Sequence, residues 1–404
     1  MKRYNRRKSS GTTDDDSIVL PEDLLIEILK RLPVKSLCRF RCVSTSWRSL
    51  ISDPRFIDSH LTHSATRPNL IVSFPDPKAG RQGGLRIFSA DQSDPRDGQH
   101  QMARPLFSLR GWTSYVPQSL HGLISLKVGS HVKICNPSTR KYVAFKSPRI
   151  KRRSGRWSYF QQTETFGFDP VERTHKVLST WVVIGGVREF IMEAWVLTLG
   201  TKEWRRVEGC PPHHKKDNEF CFNGVVYYTA WYLSHGFRPD NCLVAFDVRA
   251  ESFRVITIPV GAIEVGHAPL LIEFEGRVAM VGCGDALSWD EIVMWILEDS
   301  DREIWKKRVF VLPPCWKDMV ADRRVFPVGT VGSGELLFAP RTLRNPVCVF
   351  YYNLKTNGCR RSEIYGLPEP PEYCHLTFSD HVESLQPPRG LSGGSQARQL
   401  FLAA

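Results

Sequence analysis

Cys38 and Cys42 stand four residues apart in a segment with helical patterning, so one helix face would carry both thiols, the beginning of a thiolate metal site. A closed zinc site needs two further Cys or His ligands, and no second pair follows at a matching spacing, so no metal site is supported. His213 and His214 adjoin Pro211 and Pro212 in what reads as a polar loop, where solvated imidazoles are expected rather than ligands. Glu298, Asp299 and Asp301 gather three carboxylates that could do acid–base work, but in a predicted turn whose default is solvation. The segment KRRSGRWSYF interleaves Arg152, Arg153 and Arg156 with Trp157, Tyr159 and Phe160, as a surface alternating phosphate contacts with base stacking would. Gly155 interrupts it and no RRM, KH or zinc-finger signature accompanies it, so it reads as a loop leading into a strand. A Walker-type phosphate loop, an HExxH helix and a nucleophile-type cysteine motif are all missing, which leaves no catalytic or cofactor-binding residue to name. Trp181, Trp195, Trp204, Trp231, Trp295 and Trp305 suggest an aromatic ligand cage, but they fall at strand positions where core packing is the expectation.

The elements that would position such groups belong to a soluble multidomain chain. The 404 residues suggest two or three domains at roughly 150 residues each. With 42% hydrophobic and 24% charged residues, a mostly disordered or fibrous chain is excluded. No apolar run approaches the ~18 residues of a membrane-spanning helix; the best, from Trp181 to Val187, is broken by Gly185 and Gly186. The basic start has no apolar segment behind it, so no secretory signal is expected and the eleven cysteines read as buried thiols of a reducing compartment, cytoplasm or nucleus. The net charge of +13 permits an acidic partner, either nucleic acid or protein. The basic residues are dispersed along the chain without a single stripe, so specific nucleic-acid binding is not expected.

Three changes of pattern divide the chain into a polar tail over residues 1–16, a helical segment over 17–64, a β-rich region over 66–385 and a loose tail over 386–404. In the helical segment Pro21 suits a first helical turn, Glu22 and Asp23 complement the helix dipole, Lys30 and Arg31 suit the last turn, and Pro33 stops the helix. Leu24, Leu25, Ile28, Leu29 and Leu32 form a stripe wider than one neighbouring helix would cover. Further helical pieces carry Leu37 and Phe40, then Trp47 after the capping run Ser44–Thr45–Ser46, then Phe56 after Asp53–Pro54. So small a module leaves apolar surface for the rest of the chain or for another protein.

Beyond residue 66 a crude repeat recurs six times: an apolar run, an Asn, Asp or Gly, a polar turn, and an aromatic or basic restart. Its markers Asn136, Asp169, Gly200, Asp247, Asp299 and Asn353 are separated by 33, 31, 47, 52 and 54 residues. The later intervals match the ~40 to 50 residues of a four-stranded propeller blade, and the first two are too short. The fold class is therefore α + β multidomain, a small helical module followed by an all-β, propeller-like domain of about six blades. The kelch double glycine is absent from most copies, and Trp289–Asp290 is the only Trp-Asp pair.

Leu20–Pro21, Leu24, Ile28, Leu29, Leu32–Pro33, Leu37, the run from Phe40 to Ser44, and Trp47 closely resemble the F-box, the helical module of substrate receptors in cullin-RING ubiquitin ligases. GLISL, ICNPSTRKY, FGFDP, TKEWRRV, NGVVYYTAW, LVAFDVRAESFRVITIP, MWIL and GELLF are similar, in order, to the F-box-associated region of the large plant family of such proteins. The resemblance spans residues 17 to about 368, with LHGL at Leu120 departing from the family's usual turn. It implies a non-catalytic receptor that docks a Skp-family adaptor, and through it a cullin-RING ligase, using Leu20, Pro21, Leu24, Ile28, Leu29, Leu32, Pro33, Leu37 and Phe40. The β region would select a target protein that the resemblance does not name, with no cofactor. The rival readings are a basic nucleic-acid-binding propeller, a non-ligase scaffold and a propeller enzyme.

Overall fold

The computed structural model describes residues 21–76, 84–91, 101–110, 118–149, 159–184, 190–201, 203–233, 240–263, 269–283, 290–321, 323–331, 334–340, 344–369, 377–388 and 398–399. Four helices come first: α1 (Glu22–Leu29), α2 (Val34–Phe40), α3 (Thr45–Ser52) and α4 (Pro54–Ser64). Pro21 and Pro33 stand immediately before α1 and α2, where a missing N–H leaves no bond unmade. Ser44 Oγ accepts from the Trp47 amide at 3.1 Å and Asp53 Oδ1 from the Arg55 amide at 2.7 Å, so α3 and α4 begin at the expected caps. Lys30 and Arg31 lie just past the end of α1, in a turn from which Lys30 Nζ reaches back to Glu27 at 2.5 Å. Among the described residues no helix is long and apolar enough to cross a membrane.

Six sheets of four or five strands follow, antiparallel except at one edge strand, the blades of a propeller. Blade 1 is assembled from both ends of the region: Asn69–Pro75, Gly84–Asp91 and Arg104–Arg110 are joined by Thr377–His381, which pairs with Asn69–Pro75. Blade 2 holds Ile124–Val128, His131–Asn136 and Lys141–Lys146, with Arg398–Gln399 on its edge. Blade 3 runs from Tyr159–Asp169 through Thr174–Ile184 and Phe190–Thr198 to Arg205–Val207. Blade 4 runs from His213–Phe222 through Val225–Tyr232 and Asp240–Asp247 to Ser252–Thr257. Blade 5 comprises Leu270–Phe274, Arg277–Cys283, Glu291–Asp299 and Ile304–Val311, after which helix α5 (Cys315–Val320) leads to blade 6. Blade 6 comprises Val325–Val331, Glu335–Pro340, Val347–Asn353 and Cys359–Tyr365, and its edge accepts Gln101–Met102 as a parallel fifth strand. Two crossings therefore stitch the ring where it closes.

Five of the six repeat markers do one job. The side-chain oxygens of Asn136, Asp169, Asp247, Asp299 and Asn353 accept amide bonds from two or three residues downstream, an Asx turn that closes a hairpin. The residue four positions on turns left-handed each time, at Arg140, Arg173, Glu251, Glu303 and Asn357 with φ between 53 and 56°. Gly200 stands without an Asx turn between the third and fourth strands of blade 3, a blade already marked by Asp169, while blade 1 carries no marker. Asn136 and Asp169 close other hairpins of their blades than Asp247, Asp299 and Asn353 do, which explains the short early intervals. The six copies and the six blades thus agree in number because one blade was counted twice and one missed.

The segment after Thr377–His381 lies against blade 2, and of the stretch 386–404 residues 386–388 and 398–399 are described. Asn136 Nδ2 donates to the carbonyls of both Ser384 and Gln386 at 2.8 Å, and Arg398–Gln399 pair with Tyr142 and Lys141. Gly122 lies under this strap: a Cβ there would meet the Ser384 Cβ at 2.3 Å, and its φ of +79° suits glycine. His381 fixes the start of the strap, with Nδ1 2.9 Å from Ser119 Oγ and Nε2 3.0 Å from Ser138 Oγ.

Burial pushes His381 down to about 4, and does the same to His213, whose Nδ1 donates to the Pro211 carbonyl at 2.7 Å while Nε2 accepts from Tyr228 at 2.9 Å. Their folded pKa lies below the unfolded ~6.5, so the stability they contribute is complete above that pH and is lost as pH falls towards 4, by about 3 kcal/mol each. Glu164, raised by burial to about 7, acts in the opposite direction, since the folded state takes up its proton first as pH falls. The expected net result is a thermal midpoint that falls between pH 6.5 and 4.5. His381→Asn, which removes one of these two contributions, should make that profile shallower. A mutant profile as steep as wild type would show that His381 is not held neutral.

Candidate docking face of the helical module

Leu24 and Ile28 are i and i+4 neighbours on α1 and point away from the module, 53% and 49% exposed. Val43, just after α2, is 66% exposed, and Pro21 and Pro33 are exposed beside the helix starts. Leu32 and Phe40 are half-buried, with the Phe40 ring edge-on to Trp47 at 5.2 Å, which ties α2 to α3. Leu29 and Leu37 are fully inside, packed with Val34, Ile51 and Phe56. Leu20 lies outside the described residues. The eight described residues of the nine expected therefore separate into a presented set and a supporting set. Leu29 and Leu37 fall in the second, their side chains buried in the module's own core. Val43, missing from the expected set, belongs with the presented side chains on exposure alone.

The presented side chains sit among opposite charges. Glu22, Asp23 and Glu27 are exposed on α1, and the bond from Lys30 holds the Glu27 carboxyl below its usual range. Lys35 and Arg39 are exposed on α2. An apolar pair with charged flanks suits a partner groove that is apolar at its centre and polar at its rim.

The module also has a seat. Leu385, from the strap, is 2% exposed and completes the core formed by Leu29, Val34, Leu37, Ile51 and Phe56. Glu383 Oε2 accepts from the Val34 amide at 2.9 Å, at the start of α2, and Asp58 on α4 pairs with Arg173 of blade 3 at 2.8 Å. A carboxylate is well placed at a helix start, where unpaired amides point outward. The contacts of Leu385 and Glu383 join residues about three hundred and fifty positions apart, and no local spacing announces them.

A family model for the F-box domain matches residues 19–59, and one for the F-box associated beta propeller domain matches residues 71–382. The chain belongs to this F-box family. Among curated proteins it is 32% identical to F-box protein DOR of Arabidopsis thaliana, covering 92% of this chain and 95% of that one. F-box protein At5g65850 of the same plant is 31% identical over 95% of this chain and 94% of the other. The F-box of this chain is thus α1 to α4, and Leu385 is a propeller residue that fills an F-box core.

The remaining titratable groups serve the propeller. Lys215 Nζ donates to the Glu164 carbonyl at 3.1 Å and Thr165 Oγ1 at 2.6 Å and pairs with Glu219, while Lys127 Nζ donates to the Gln162 carbonyl at 2.7 Å. Blades 2, 3 and 4 are pinned together by the buried Lys215 and the half-buried Lys127, an arrangement that residue spacing did not indicate. His213, expected in a solvated loop, is fully buried in the first strand of blade 4, because the strand begins immediately after Pro212. Glu298 pairs with Arg277 and Lys306, and Asp301 with Arg254, so the carboxylate cluster is held by cations. Trp204 and Trp305 donate across blade boundaries to the carbonyls of Lys146 and Thr257 at 2.9 Å. Trp181 is buried, and Trp231 is 40% exposed with Lys216 over its ring. Among the described residues no three His, Cys, Asp or Glu side chains gather as metal ligands. Residues 151–158 of the Arg-Trp segment lie outside the described residues.

Proposed function

We propose that this chain is the substrate-recognition subunit of a Skp/cullin/F-box-type ubiquitin ligase, acting in cytoplasm or nucleus. The observation that carries the reading is the division within α1: Leu29 anchors the helix in its own core, while Leu24 and Ile28 are turned out and stand apart from that core. Exposed apolar residues paired at helical spacing fit a helix-in-groove contact, and the Skp-family adaptor is the partner this family implies. The propeller holds the target protein. Catalysis then lies elsewhere: keeping a target beside a charged ubiquitin-conjugating enzyme raises their effective concentration, so the chain supplies binding energy and geometry and no nucleophile. Co-expression with a Skp-family adaptor tests this directly. A 1:1 complex that survives size-exclusion chromatography is expected, and two separately eluting proteins would count against the reading.

The basic charge is directed to solubility and protein contacts. Arg254, Arg277, Arg308, Lys317, Arg360 and Arg361 are each paired with a carboxylate, which lowers the positive field they present. Random RNA or DNA should accordingly bind no tighter than about 1 μM at physiological salt, with affinity falling steeply as salt rises. Nanomolar, sequence-dependent binding in a filter or fluorescence assay would promote the nucleic-acid reading instead.

A further inference from the structure

Helix α5 is the connector between blades 5 and 6, and it buries Trp316 and Val320 in the core those two blades share. Its first residue, Cys315, is exposed. The Cys315 Sγ lies 3.3 Å from the Sγ of Cys359, which begins the fourth strand of blade 6 and is partly buried. Elsewhere among the described cysteines the thiols of Cys210 and Cys242 face carbonyl oxygens and that of Cys348 faces the Arg361 guanidinium, so this is the one pair whose sulfurs meet. The pair joins residues 44 apart in sequence, and nothing in the docking face or the propeller's Asx turns requires it.

We propose that Cys315 and Cys359 are a redox-sensitive pair that closes to an intramolecular disulfide and staples the connector helix to blade 6. The sulfurs are already in van der Waals contact, and a bond length of about 2.05 Å asks for roughly an ångström of further approach, within reach of two χ1 adjustments. Exposure makes Cys315 the thiol that meets an oxidant. Burial, and the bond to Cys315, push the Cys359 thiol up to about 11, so it waits in its protonated form.

With a low-molecular-weight disulfide as oxidant, the Cys315 thiolate attacks one sulfur, forms a mixed disulfide and expels the first small thiolate. Cys359 then gives its proton to solvent, and its thiolate attacks the Cys315 sulfur and expels the second. Two protein thiols are oxidised, one small disulfide is reduced to two thiols, and a reducing thiol pool runs the same steps backwards. The consequence is mechanical. The fourth strand of blade 6 lies between Val347–Asn353 and the edge strand Gln101–Met102, so the staple ties the connector to a blade that the entering chain also holds.

The test uses the full chain in oxidised and reduced glutathione at neutral pH, with alkylation and non-reducing peptide mass spectrometry. The expected product is a peptide pair linked through Cys315 and Cys359 that accumulates ahead of every other cross-link and disappears on reduction. Cys359→Ser should leave Cys315 as a persistent glutathione mixed disulfide, whereas Cys315→Ser should leave Cys359 largely unmodified. Wild type that stops at the Cys315 mixed disulfide to the same extent as Cys359→Ser overturns the proposal, as does a wild-type chain in which Cys315 never reacts. The measurement is independent of adaptor binding, and the wild-type peptide map decides it even if a serine variant folds poorly.

Discussion

Replacing Leu24 and Ile28 together by aspartate should weaken capture of a Skp-family adaptor by at least about a hundredfold, with the propeller's thermal unfolding unchanged. Truncating a central apolar anchor in an interface often costs about 2 kcal/mol, roughly thirtyfold in affinity. Aspartate adds the cost of placing charge where a partner's apolar groove would close. The two effects come from one patch and will not add fully, so the expected figure lies below the product of the singles. Both side chains are about half exposed, so neither change disturbs the F-box core. Leu29→Asp is the instructive contrast: at 1% exposure it should abolish adaptor binding by unfolding the helices, seen as loss of amide-exchange protection in α1 to α4 of the full chain. Titration calorimetry with purified adaptor separates the cases. Wild-type affinity in the Leu24→Asp/Ile28→Asp protein would remove α1 from the docking face.

The helices were legible because their punctuation is local. Pro21, Ser44 and Asp53–Pro54 mark starts, and each requirement is met within three residues of the mark. The blades were legible for the same reason, since Asp169, Asp247, Asp299 and Asn353 satisfy backbone amides two and three positions on. Ring closure left no such trace. Blade 1 depends on pairing Asn69–Pro75 with Thr377–His381, a contact between segments three hundred residues apart whose register no short motif encodes. Periodicity did identify the α1 stripe but could not apportion it. Leu24, Leu25, Ile28 and Leu29 are equally apolar in sequence, and only packing against Leu385 shows which of them is spent on the core.

That packing bears on how the two parts of the chain can be separated. The change of pattern near Thr66 suggests that residues 1–64 and 66–404 would each keep one function, with the shorter piece holding the adaptor. The longer piece, however, carries Leu385 and Glu383, and the F-box without them exposes the surface of Leu29, Val34 and Leu37 that Leu385 covers. Leu385→Ala in the full chain is the cleaner cut. Removing a leucine at 2% exposure costs about 2 to 5 kcal/mol when the cavity cannot collapse, a large share of what a module of four short helices has. Amide exchange in α1 to α4 should therefore accelerate by tenfold or more while exchange in blades 3 to 5 stays put. Saturating adaptor should largely reverse the acceleration, since a partner that binds only the folded F-box stabilises it by mass action. Ubiquitination of a tethered target should fall more than adaptor affinity does, because an F-box loosened from Glu383 and Leu385 no longer fixes where the propeller points relative to the ligase. If exchange in α1 to α4 is unchanged in Leu385→Ala, Leu385 contributes nothing to holding the module, and the F-box is stable without that part of its seat.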